Sequence, residues 1–554
     1  MKYMKERYPQ AMFLRQDGEG GGIYHPSVLR TLEQITEVAT SILKDADSGL
    51  IVFSGCGTSG RLAFMTARTF NKKLESVGKH GCFKYLIAGK DKALFTSQEA
   101  PEDDPICGKE MLQEICMNQR KVLFIGITCG LSAPYVAGQL DYCLKNLDVF
   151  TPVLLGFNPT NMARNNKIEK WNKTFSDVVS ELQKAVSDGK AFILNPVVGP
   201  EPITGSSRMK SGSATKILLE TIFVGAYTSS QNLTKSKWNP QNHLDIYRAI
   251  CERVYSVDFS KKISHLIKLG AECLQKNGSI YYLGLDSIGI VGMIDASECP
   301  PTYSATLDDV RGFIEGGYTC FGNKEGDLKH LGKHFHISLE DFKTDIAPHL
   351  GEKDLVIILS TEGNLSQASF VQSLSCHKAV LAFKDCDIPQ EKFDVVIRAQ
   401  IDNDINLGSV VKDVVDGFRN MYCEMFTKWV CNAVTTGAHV MKGKVYQNSM
   451  VDLKVSNNKL YYRSVGIIQK FSNESRDESE RYLLKSIYNT DNLSESHCSK
   501  TVADHIDVAT PLERVVPRAM LAAILKCPIS EAEKRLIQEP VIRTVISQTL
   551  NSVK

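Results

Sequence analysis

Short apolar runs recur along the first two thirds of the chain, and each is followed by small or polar residues. The runs are Leu50–Phe53, Val122–Ile125, Val153–Leu155, Phe192–Leu194, Ile280–Leu283 and Leu355–Leu359. Runs this short are typical of strands that are buried on both faces of a sheet, and the stretches between them are long enough for helices. The alternation predicts an α/β fold in which helices cover parallel sheets.

The loops that follow these strands repeat along the chain. Gly55 and Gly60, after the first run, align with Gly284 and Gly289, after the fifth, at a common offset of 229. The loops after the second and sixth runs align at an offset of 234, a small shift for a diverged duplication. Matching order and spacing at two loops predicts two tandem α/β domains.

The strand pattern ends near residue 455, and the residues beyond it are charged and helical in pattern. Ser530–Glu533 matches a capping box, the Ser-x-x-Glu signature of a helix start. We therefore predict a first domain, with the N-terminal segment, over residues 1–235, a second over 236–452 and an all-helical lid over 453–554. The long apolar stretch from Val410 to Val440 predicts a helix of the core.

The composition excludes several classes of partner. The 65 Lys and Arg residues nearly balance the 63 Asp and Glu residues, so the net charge is only +2. Such a chain has no overall field that would attract nucleic acid or an anionic membrane. No apolar run approaches the roughly 20 residues of a transmembrane helix, and the N-terminal residues show no secretory signal pattern. We expect a cytoplasmic protein, with the nucleus as the alternative, and no nucleic acid or membrane partner.

Cysteine and histidine spacing does not predict a metal or a cofactor. The 16 cysteines are scattered without a CxxC pair, which favours reduced thiols over zinc ligands or disulfides. The spacing of His330, His334 and His336 could place two of them on one metal, but Gly332 interrupts the helix that this would need. A surface loop is the better interpretation, and no cofactor is expected.

The loop after the first strand has the composition of an anion site. Gly57, Thr58, Ser59 and Gly60 stand between a predicted strand and a predicted helix. Backbone N–H groups, the helix N-terminus and the two hydroxyls could hold a phosphate there. The loop lacks the lysine of a P-loop and the spacing of a dinucleotide fingerprint, so nucleotide binding is disfavoured. A plain tight turn is the alternative.

The loop after the second strand carries a similar set of small residues, Thr128, Cys129, Gly130 and Ser132. Because the carboxyl ends of neighbouring parallel strands meet at one edge of a sheet, the two loops are expected to converge on one ligand. Together they favour a phosphate site over two unrelated turns.

A third segment, Gly205–Lys210, precedes a helix predicted from Ser213 to Phe223. Ser207 offers a hydroxyl, and Arg208 offers a guanidinium suited to an oxyanion. The alternative is an exposed helix cap with solvated charges.

Four motifs together resemble the sugar isomerase (SIS) domain family. They are Ser54–Arg61, Gly126–Pro134, Gly199–Lys210 and Gly443–Tyr446. Within it, nearly the whole chain is similar to the glucokinase regulatory proteins and to their relatives, the N-acetylmuramic acid 6-phosphate etherases. Four shorter segments resemble the regulators in particular: Gly156–Pro159, Met162–Asn165, Thr427–Val430 and Thr436–Val440.

The resemblance implies two flavodoxin-like SIS domains, a helical lid, and one sugar phosphate site near the domain interface. The implied binding residues are Gly57, Thr58, Ser59, Glu102, Thr128, Cys129, Gly130, Ser132, Ser207, Arg208, Glu298 and Lys444. The implied ligand is fructose 6-phosphate or fructose 1-phosphate. The implied function is inhibition of glucokinase or another hexokinase-type enzyme in a manner that depends on fructose 6-phosphate.

Glu102 and Glu298 leave a catalytic alternative open. In the etherases, similarly placed carboxylates are implicated in removing the C2 proton and in protonating the departing lactate oxygen, work that needs an acid and a base at fixed positions. Glu298 stands in Asp295–Tyr303, which keeps its etherase-like form. An active etherase is therefore the alternative to a non-catalytic regulator, and a sugar phosphate isomerase is a third, less favoured function.

The position of Glu298 indicates which loop it serves. It lies nine residues past Gly289, so in a helix it would stand roughly 13 Å along the axis from its own loop. It therefore suits a site built around the loop of the other domain. A monomeric pseudo-dimer with one working site follows.

One segment departs from the regulators. They carry the apolar cluster that docks glucokinase just before the long helix leading to Thr427–Val430, where this chain has Ala399–Asn406, which is rich in acidic and amide residues. Desolvating such groups in an interface is costly. Weak or absent binding to a vertebrate glucokinase is therefore expected.

Overall fold

Two five-stranded parallel sheets organise the chain, one in each half. The computed structural model describes residues 10–13, 21–45, 49–169, 171–233, 238–361, 365–384, 388–401 and 409–553. The strands are β1 (Gly49–Gly55), β2 (Phe83–Ile87), β3 (Lys121–Ile127), β4 (Phe150–Leu155), β5 (Phe192–Leu194), β6 (Ile280–Gly284), β7 (Val310–Ile314), β8 (Leu355–Ser360), β9 (His377–Ala382) and β10 (Val395–Arg398), followed by a hairpin of β11 (Val445–Tyr446) and β12 (Ser449–Met450).

Both sheets have the same strand order. The first runs β2-β1-β3-β4-β5, and the second, read from its other edge, runs β7-β6-β8-β9-β10. Strands β1, β6 and β8 are buried along their whole length, as their continuous apolar runs predict. All six predicted strands are present, and the prediction of two tandem α/β units is confirmed.

The repeated glycines make the same contact in both sheets. A Cβ atom on Gly60 would lie 2.7 Å from the carbonyl oxygen of Gly55, and one on Gly284 would lie 2.1 Å from the Cα of Gly289. In each unit the end of a strand and the start of the next helix approach too closely for any side chain. The shared spacing therefore reflects a shared backbone contact.

Helices cover the sheets and make up the C-terminal part of the described chain. The α-helices of eight or more residues are α1 (Pro26–Lys44), α2 (Thr58–Glu75), α3 (Pro105–Ile115), α4 (Pro134–Leu144), α5 (Phe175–Ser187), α6 (Lys210–Ser230), α7 (Pro240–Val254), α8 (Val257–Gln275), α9 (Gly289–Tyr303), α10 (Ser409–Met441), α11 (Asn458–Ser472), α12 (Arg476–Ile487), α13 (Val502–Ala509), α14 (Val515–Leu525), α15 (Ile529–Gln538) and α16 (Ile542–Val553). Among the described residues, no helix combines the length and apolar character needed to span a bilayer.

Two predicted helices are present with different bounds. The apolar stretch of the second half forms α10, whose backbone departs from helical geometry at Phe418 (φ −124°). The helix predicted for Ser213–Phe223 is longer at both ends, as α6, because nearly all of its residues are buried and continue the apolar packing. The sequence therefore locates both helices but not their ends.

The predicted capping box at Ser530–Glu533 is wrong. Helix α15 begins at Ile529, directly after Pro528, and so Ser530 lies inside the first turn instead of preceding it. Proline fits just outside a helix start because its φ is fixed and it has no N–H to satisfy. The N–H of Ile529 donates to Asp491 Oδ1 at 2.8 Å, which supplies the cap from another part of the chain.

The two α/β units pack against each other through α2 of the first and through α9 and the segment Gly317–Phe321 of the second. The ring of Phe64 stacks on that of Phe321, with centroids 4.8 Å apart. Arg68 donates to the carbonyl oxygens of Phe321 and Cys320 at 2.8 and 2.6 Å. The hydrogen bond from the Thr58 hydroxyl to Glu298 places the C-terminal part of α9 beside the loop that follows β1.

Candidate functional site

Two adjoining cavities of about 100 and 390 Å³ lie among the loops of the first sheet, the end of α9 and the start of α11. The residues that line both are Cys56, Ser59, Glu102, Gly205, Ser207, Lys459 and Arg463. Of the twelve residues expected to bind a sugar phosphate, all except Lys444 line one or both cavities. The structure thus brings together side chains from all three parts of the chain.

The loops after β1 and β3 converge, as expected for neighbouring parallel strands. Ser59 Oγ and Cys129 Sγ lie 3.7 Å apart across the two loops. The Thr128 hydroxyl accepts hydrogen bonds from the N–H groups of Ser132 and Ala133 at 3.2 and 3.3 Å, which holds the second loop in a tight turn. The small side chains are therefore held in place before any ligand arrives.

Glu298 reaches the first domain's loop from the second domain. The hydroxyl of Thr58 donates to Glu298 Oε1, while Oε2 has no hydrogen bond among the described residues. Burial raises the pKa of this carboxyl above its ordinary value, although Lys428, Arg208 and Arg61 act to lower it. One oxygen is thus available to a ligand, in the place that the spacing from Gly289 indicates.

Arg208 is largely engaged by the second domain, which corrects the sequence-based interpretation of a guanidinium free for an oxyanion, although its buried Nε has no hydrogen-bond partner among the described residues. Its guanidinium is buried, with 2% of the residue exposed, and donates to Asp295 Oδ1 at 3.1 Å. Further donations reach the hydroxyls of Tyr303, Thr435 and Thr436 at 3.3, 3.1 and 3.0 Å. The residue lines the smaller cavity but serves to join α6 to the second domain.

The N-terminus of α6 is already occupied by a carboxylate. Glu201 accepts hydrogen bonds from the N–H groups of Lys210 and Ser211, both at 2.8 Å. Helix N-termini attract anions, so a side chain of this chain fills a position that a phosphate could otherwise take. The phosphate position is therefore better assigned to the loops after β1 and β3.

Glu102 is held by the lid, through a residue that the sequence did not single out. Lys459 Nζ lies 2.9 and 3.0 Å from the two oxygens of Glu102. Beside this pair, Asn457 donates to Glu99 at 2.7 Å, and the N–H of Asn458 donates to Asp103 at 3.0 Å. The start of α11 is thereby fastened to the loop before α3.

Lys444, the lysine of the C-terminal part that the resemblance implies as a binding residue, lies outside both cavities. Its Nζ is paired with Asp452. The signal that could have identified Lys459 is the helix start at Asn457, which places Lys459 and Arg463 four residues apart on one face of α11.

Two arginines give the larger cavity its positive charge. Arg164 and Arg463 both line it, and neither forms an ion pair or a side-chain hydrogen bond with any described residue. Arg463 lies against Gly205, where a Cβ atom would be 2.5 Å from the guanidinium carbon. Two unpaired guanidinium groups beside the loop of Ser132 are suited to a phosphate.

The corresponding loop of the second domain is closed by its own side chain. Asp286, two residues after β6, accepts hydrogen bonds from the N–H and hydroxyl of Thr361, both at 2.6 Å. It also accepts one from the N–H of Ile288 at 3.0 Å. A carboxylate therefore occupies the position that an anion would take in the first domain.

Of the histidines in the predicted surface loop, only His336 joins a group of possible metal ligands. His336, Asp341 and Asp345 have ligand atoms within 4.8 Å of one another at a partly exposed position. Asp341 is also paired with Lys329 at 2.8 Å. Exposed acidic groups often cluster without a metal, and the group is not assigned one.

Three family models match the chain. They are described as "Glucokinase regulatory protein N-terminal SIS domain", "Glucokinase regulatory protein, second SIS domain" and "C-terminal lid domain of glucokinase regulatory protein". They match residues 34–144, 257–385 and 447–546, respectively.

Individual proteins match as well. The chain is 40% identical to the glucokinase regulatory protein of Xenopus laevis over 96% of this chain and 86% of that protein. It is 30% identical to the N-acetylmuramic acid 6-phosphate etherase of Trichodesmium erythraeum over 41% of this chain and 70% of that protein. A solved C-terminal domain of glucosamine-fructose-6-phosphate aminotransferase from Francisella tularensis covers 75% of this chain and 94% of its own, with a TM-score of 0.43 and 11% identity.

Proposed function

The chain belongs to the glucokinase regulatory protein family, and from this premise we propose that it is a fructose phosphate sensor that inhibits a hexokinase-type enzyme. The single observation that supports this ligand is the larger cavity, which Arg164 and Arg463, both without ion-pair partners among the described residues, line together with the loop of Ser132. The phosphate group of a sugar phosphate would provide the anionic partner of these two arginines.

The two ends of the site suit the two ends of such a ligand. The phosphate lies between the guanidinium groups and the residues Thr128, Cys129, Gly130 and Ser132. Ser59, which lines both cavities, adds its hydroxyl to the phosphate end. The sugar extends toward Thr58, Glu102 and Glu298, where the carboxylates accept hydrogen bonds from its hydroxyls. Fructose 6-phosphate and fructose 1-phosphate both fit this description.

The regulatory step follows from where the ligand binds. The cleft is lined by the first domain, by α9 of the second and by α11 of the lid, so a ligand contacts all three at once. Binding therefore favours one arrangement of the domains over others, and a partner that recognises this arrangement binds more tightly when the ligand is present. We place this activity in the cytoplasm or the nucleus, in a protein that acts as a monomer.

The segment proposed to contact the partner lies only partly within the described residues. Ala399 and Ile401 are buried in the core, and residues 402–406 lie outside the described part of the chain. The weak binding expected for a vertebrate glucokinase remains a prediction that rests on the polar sequence of this segment.

The regulatory proposal is tested by measuring hexokinase activity. We expect the hexokinase-type enzyme from the same organism to be inhibited by the purified protein, and more strongly when fructose 6-phosphate is added. Vertebrate glucokinase, titrated by calorimetry, should bind weakly with or without the ligand. Tight association with vertebrate glucokinase that depends on fructose 6-phosphate would refute the interpretation of residues 399–406. Absence of inhibition of the native enzyme, despite binding of the ligand, would refute the regulatory function.

An etherase function is the second candidate, because the smaller cavity places two carboxylates around a sugar-sized space. Glu298 is buried with a raised pKa, while Glu102 is paired with Lys459, so the two carboxyls have different environments. Such a difference suits one to act as the acid and the other as the base.

The etherase candidate predicts release of D-lactate from N-acetylmuramic acid 6-phosphate. Glu102→Gln and Glu298→Gln should each slow this release at least about a hundredfold, the usual scale of a general acid or base. An enzymatic lactate assay on the wild type and both variants gives the answer. Wild-type protein that binds this substrate without releasing lactate would exclude the etherase and leave the sensor.

A further inference from the structure

Arg61, in the first turn of α2, is a buried cation without a partner. Only 2% of the residue is exposed, and it lines the smaller cavity. Within the described ranges its guanidinium makes no ion pair, and its buried Nε has no hydrogen-bond partner. Burying a guanidinium whose donors lack hydrogen bonds costs free energy. A ligand group that enters the cavity and accepts a hydrogen bond from Arg61 would offset this cost.

Glu298, in the same cavity, is a hydrogen-bond acceptor that lacks a donor. It is 3% exposed, and its Oε2 is buried with no hydrogen-bond partner among the described residues. The nearest charged atom recorded for this oxygen is Nη1 of Arg208, at 4.0 Å. Arg61 and Glu298 therefore face one space as a donor and an acceptor that do not meet each other.

The other charged side chains of the smaller cavity are mostly engaged already. The engaged pairs are Arg208 with Asp295, Lys459 with Glu102, and Glu99 with Asn457. Arg463 lies at the junction with the larger cavity, which it also lines. Away from that junction, one cation (Arg61) and one anion (Glu298) remain for a ligand, and together they suit a neutral polar group.

We propose that Arg61 and Glu298 together bind the neutral, hydroxyl-bearing end of the sugar and exclude a second phosphate from it. The inference rests on the proposed function, with the ligand's phosphate in the larger cavity. A hydroxyl accepts from the guanidinium and donates to the carboxylate at once. A phosphate dianion has no proton to donate and would be repelled by Glu298.

The volume of the smaller cavity is large enough for the hydroxyl-bearing end of a sugar. A single water needs only about 10–15 Å³, so a cavity of about 100 Å³ has room for the hydroxymethyl end of a ketohexose. The ligand class is therefore a ketohexose monophosphate and not a bisphosphate. Arg61 is then a specificity-determining residue at the sugar end of the site.

Calorimetry with three probes tests this assignment. The probes are fructose 6-phosphate, fructose 1,6-bisphosphate and inorganic phosphate. Wild-type protein should bind fructose 6-phosphate at least about tenfold more tightly than the bisphosphate. Arg61→Met should weaken fructose 6-phosphate by about 10- to 100-fold, the scale of a hydrogen bond to a charged group, and leave the affinity for inorganic phosphate unchanged.

Two further variants keep the test decisive. Arg61→Lys retains the charge but loses the guanidinium fork, so it should also bind fructose 6-phosphate more weakly than the wild type. It replaces Arg61→Met if circular dichroism shows the latter to be unfolded. Glu298→Gln removes the charge that repels a second phosphate and changes the shape of the side chain little. It should therefore reduce the ratio between the affinities for fructose 6-phosphate and fructose 1,6-bisphosphate.

The outcomes separate this inference from the proposed function. A wild type that does not bind fructose 6-phosphate overturns both. A wild type that binds it, with folded Arg61 variants that bind it equally well, overturns the role of Arg61 alone. Loss of inorganic phosphate together with fructose 6-phosphate would place Arg61 in the phosphate cradle, which also overturns the inference.

Discussion

Replacing Arg208 with alanine is expected to lower the free energy of unfolding by about 3–5 kcal/mol. The substitution leaves Asp295 buried without its ion-pair partner. Its remaining hydrogen-bond donors are neutral, namely the hydroxyls of Tyr282 and Thr435 and the amide of Asn432, and the nearby cation Lys428 forms no ion pair with it. A buried carboxylate without a compensating charge is costly. The substitution also removes a contact that the guanidinium makes between two domains.

Urea denaturation followed by circular dichroism measures this loss. Lys145→Ala is the control, because Lys145 also pairs with an aspartate but its side chain is 64% exposed. Its removal should change the free energy of unfolding by no more than about 1 kcal/mol. If Arg208→Ala were as mild as this control, the pair with Asp295 would not hold the domains together.

The second large effect is expected at Arg463. Arg463→Glu should weaken binding of fructose 6-phosphate at least about a hundredfold, because it removes a charge-assisted contact to the phosphate and places a like charge beside it. The same change should also lower the melting temperature of the ligand-free protein, because it replaces a cation that Glu102 and Glu99 attract with a third carboxylate beside them.

Isothermal titration calorimetry of the variant, with a thermal melt of the ligand-free protein, tests both halves of this expectation. Arg481→Glu is the matched control, since Arg481 is an arginine of the same lid with 56% of its side chain exposed. It should bind fructose 6-phosphate as the wild type does. Undiminished binding by Arg463→Glu would place the phosphate outside the larger cavity.

The strands show how far local sequence carries a prediction of the fold. Strands buried on both faces are continuous apolar runs and were predicted. The edge strand β2 was not predicted, because Lys84 is exposed and Tyr85 is only partly buried, which interrupts the run. Strand β9 begins with His377 and Lys378, and two of its four apolar residues are alanines, which are depleted in strands, so the run does not stand out as a strand.

The residues of the site also separate into those that the local sequence predicts and those that it does not. The loops of Ser59 and Ser132 were found because their glycines and hydroxyls lie together in the sequence. The roles of Arg208, Lys459 and Arg61 could not be found locally, because each depends on which charged groups the fold places around it. Only the structure shows that Arg208 is engaged by the second domain, that Lys459 is paired, and that Arg61 lacks a partner among the described residues.

The number of fructose 6-phosphate molecules bound per chain tests the single-site proposal most directly. Titration by calorimetry should give one, because the loops of the first domain form an open anion site while Asp286 and Thr361 close the equivalent loop of the second domain. Two equivalents would show that the second domain binds the ligand as well. No binding at millimolar fructose 6-phosphate would contradict the assignment of the site.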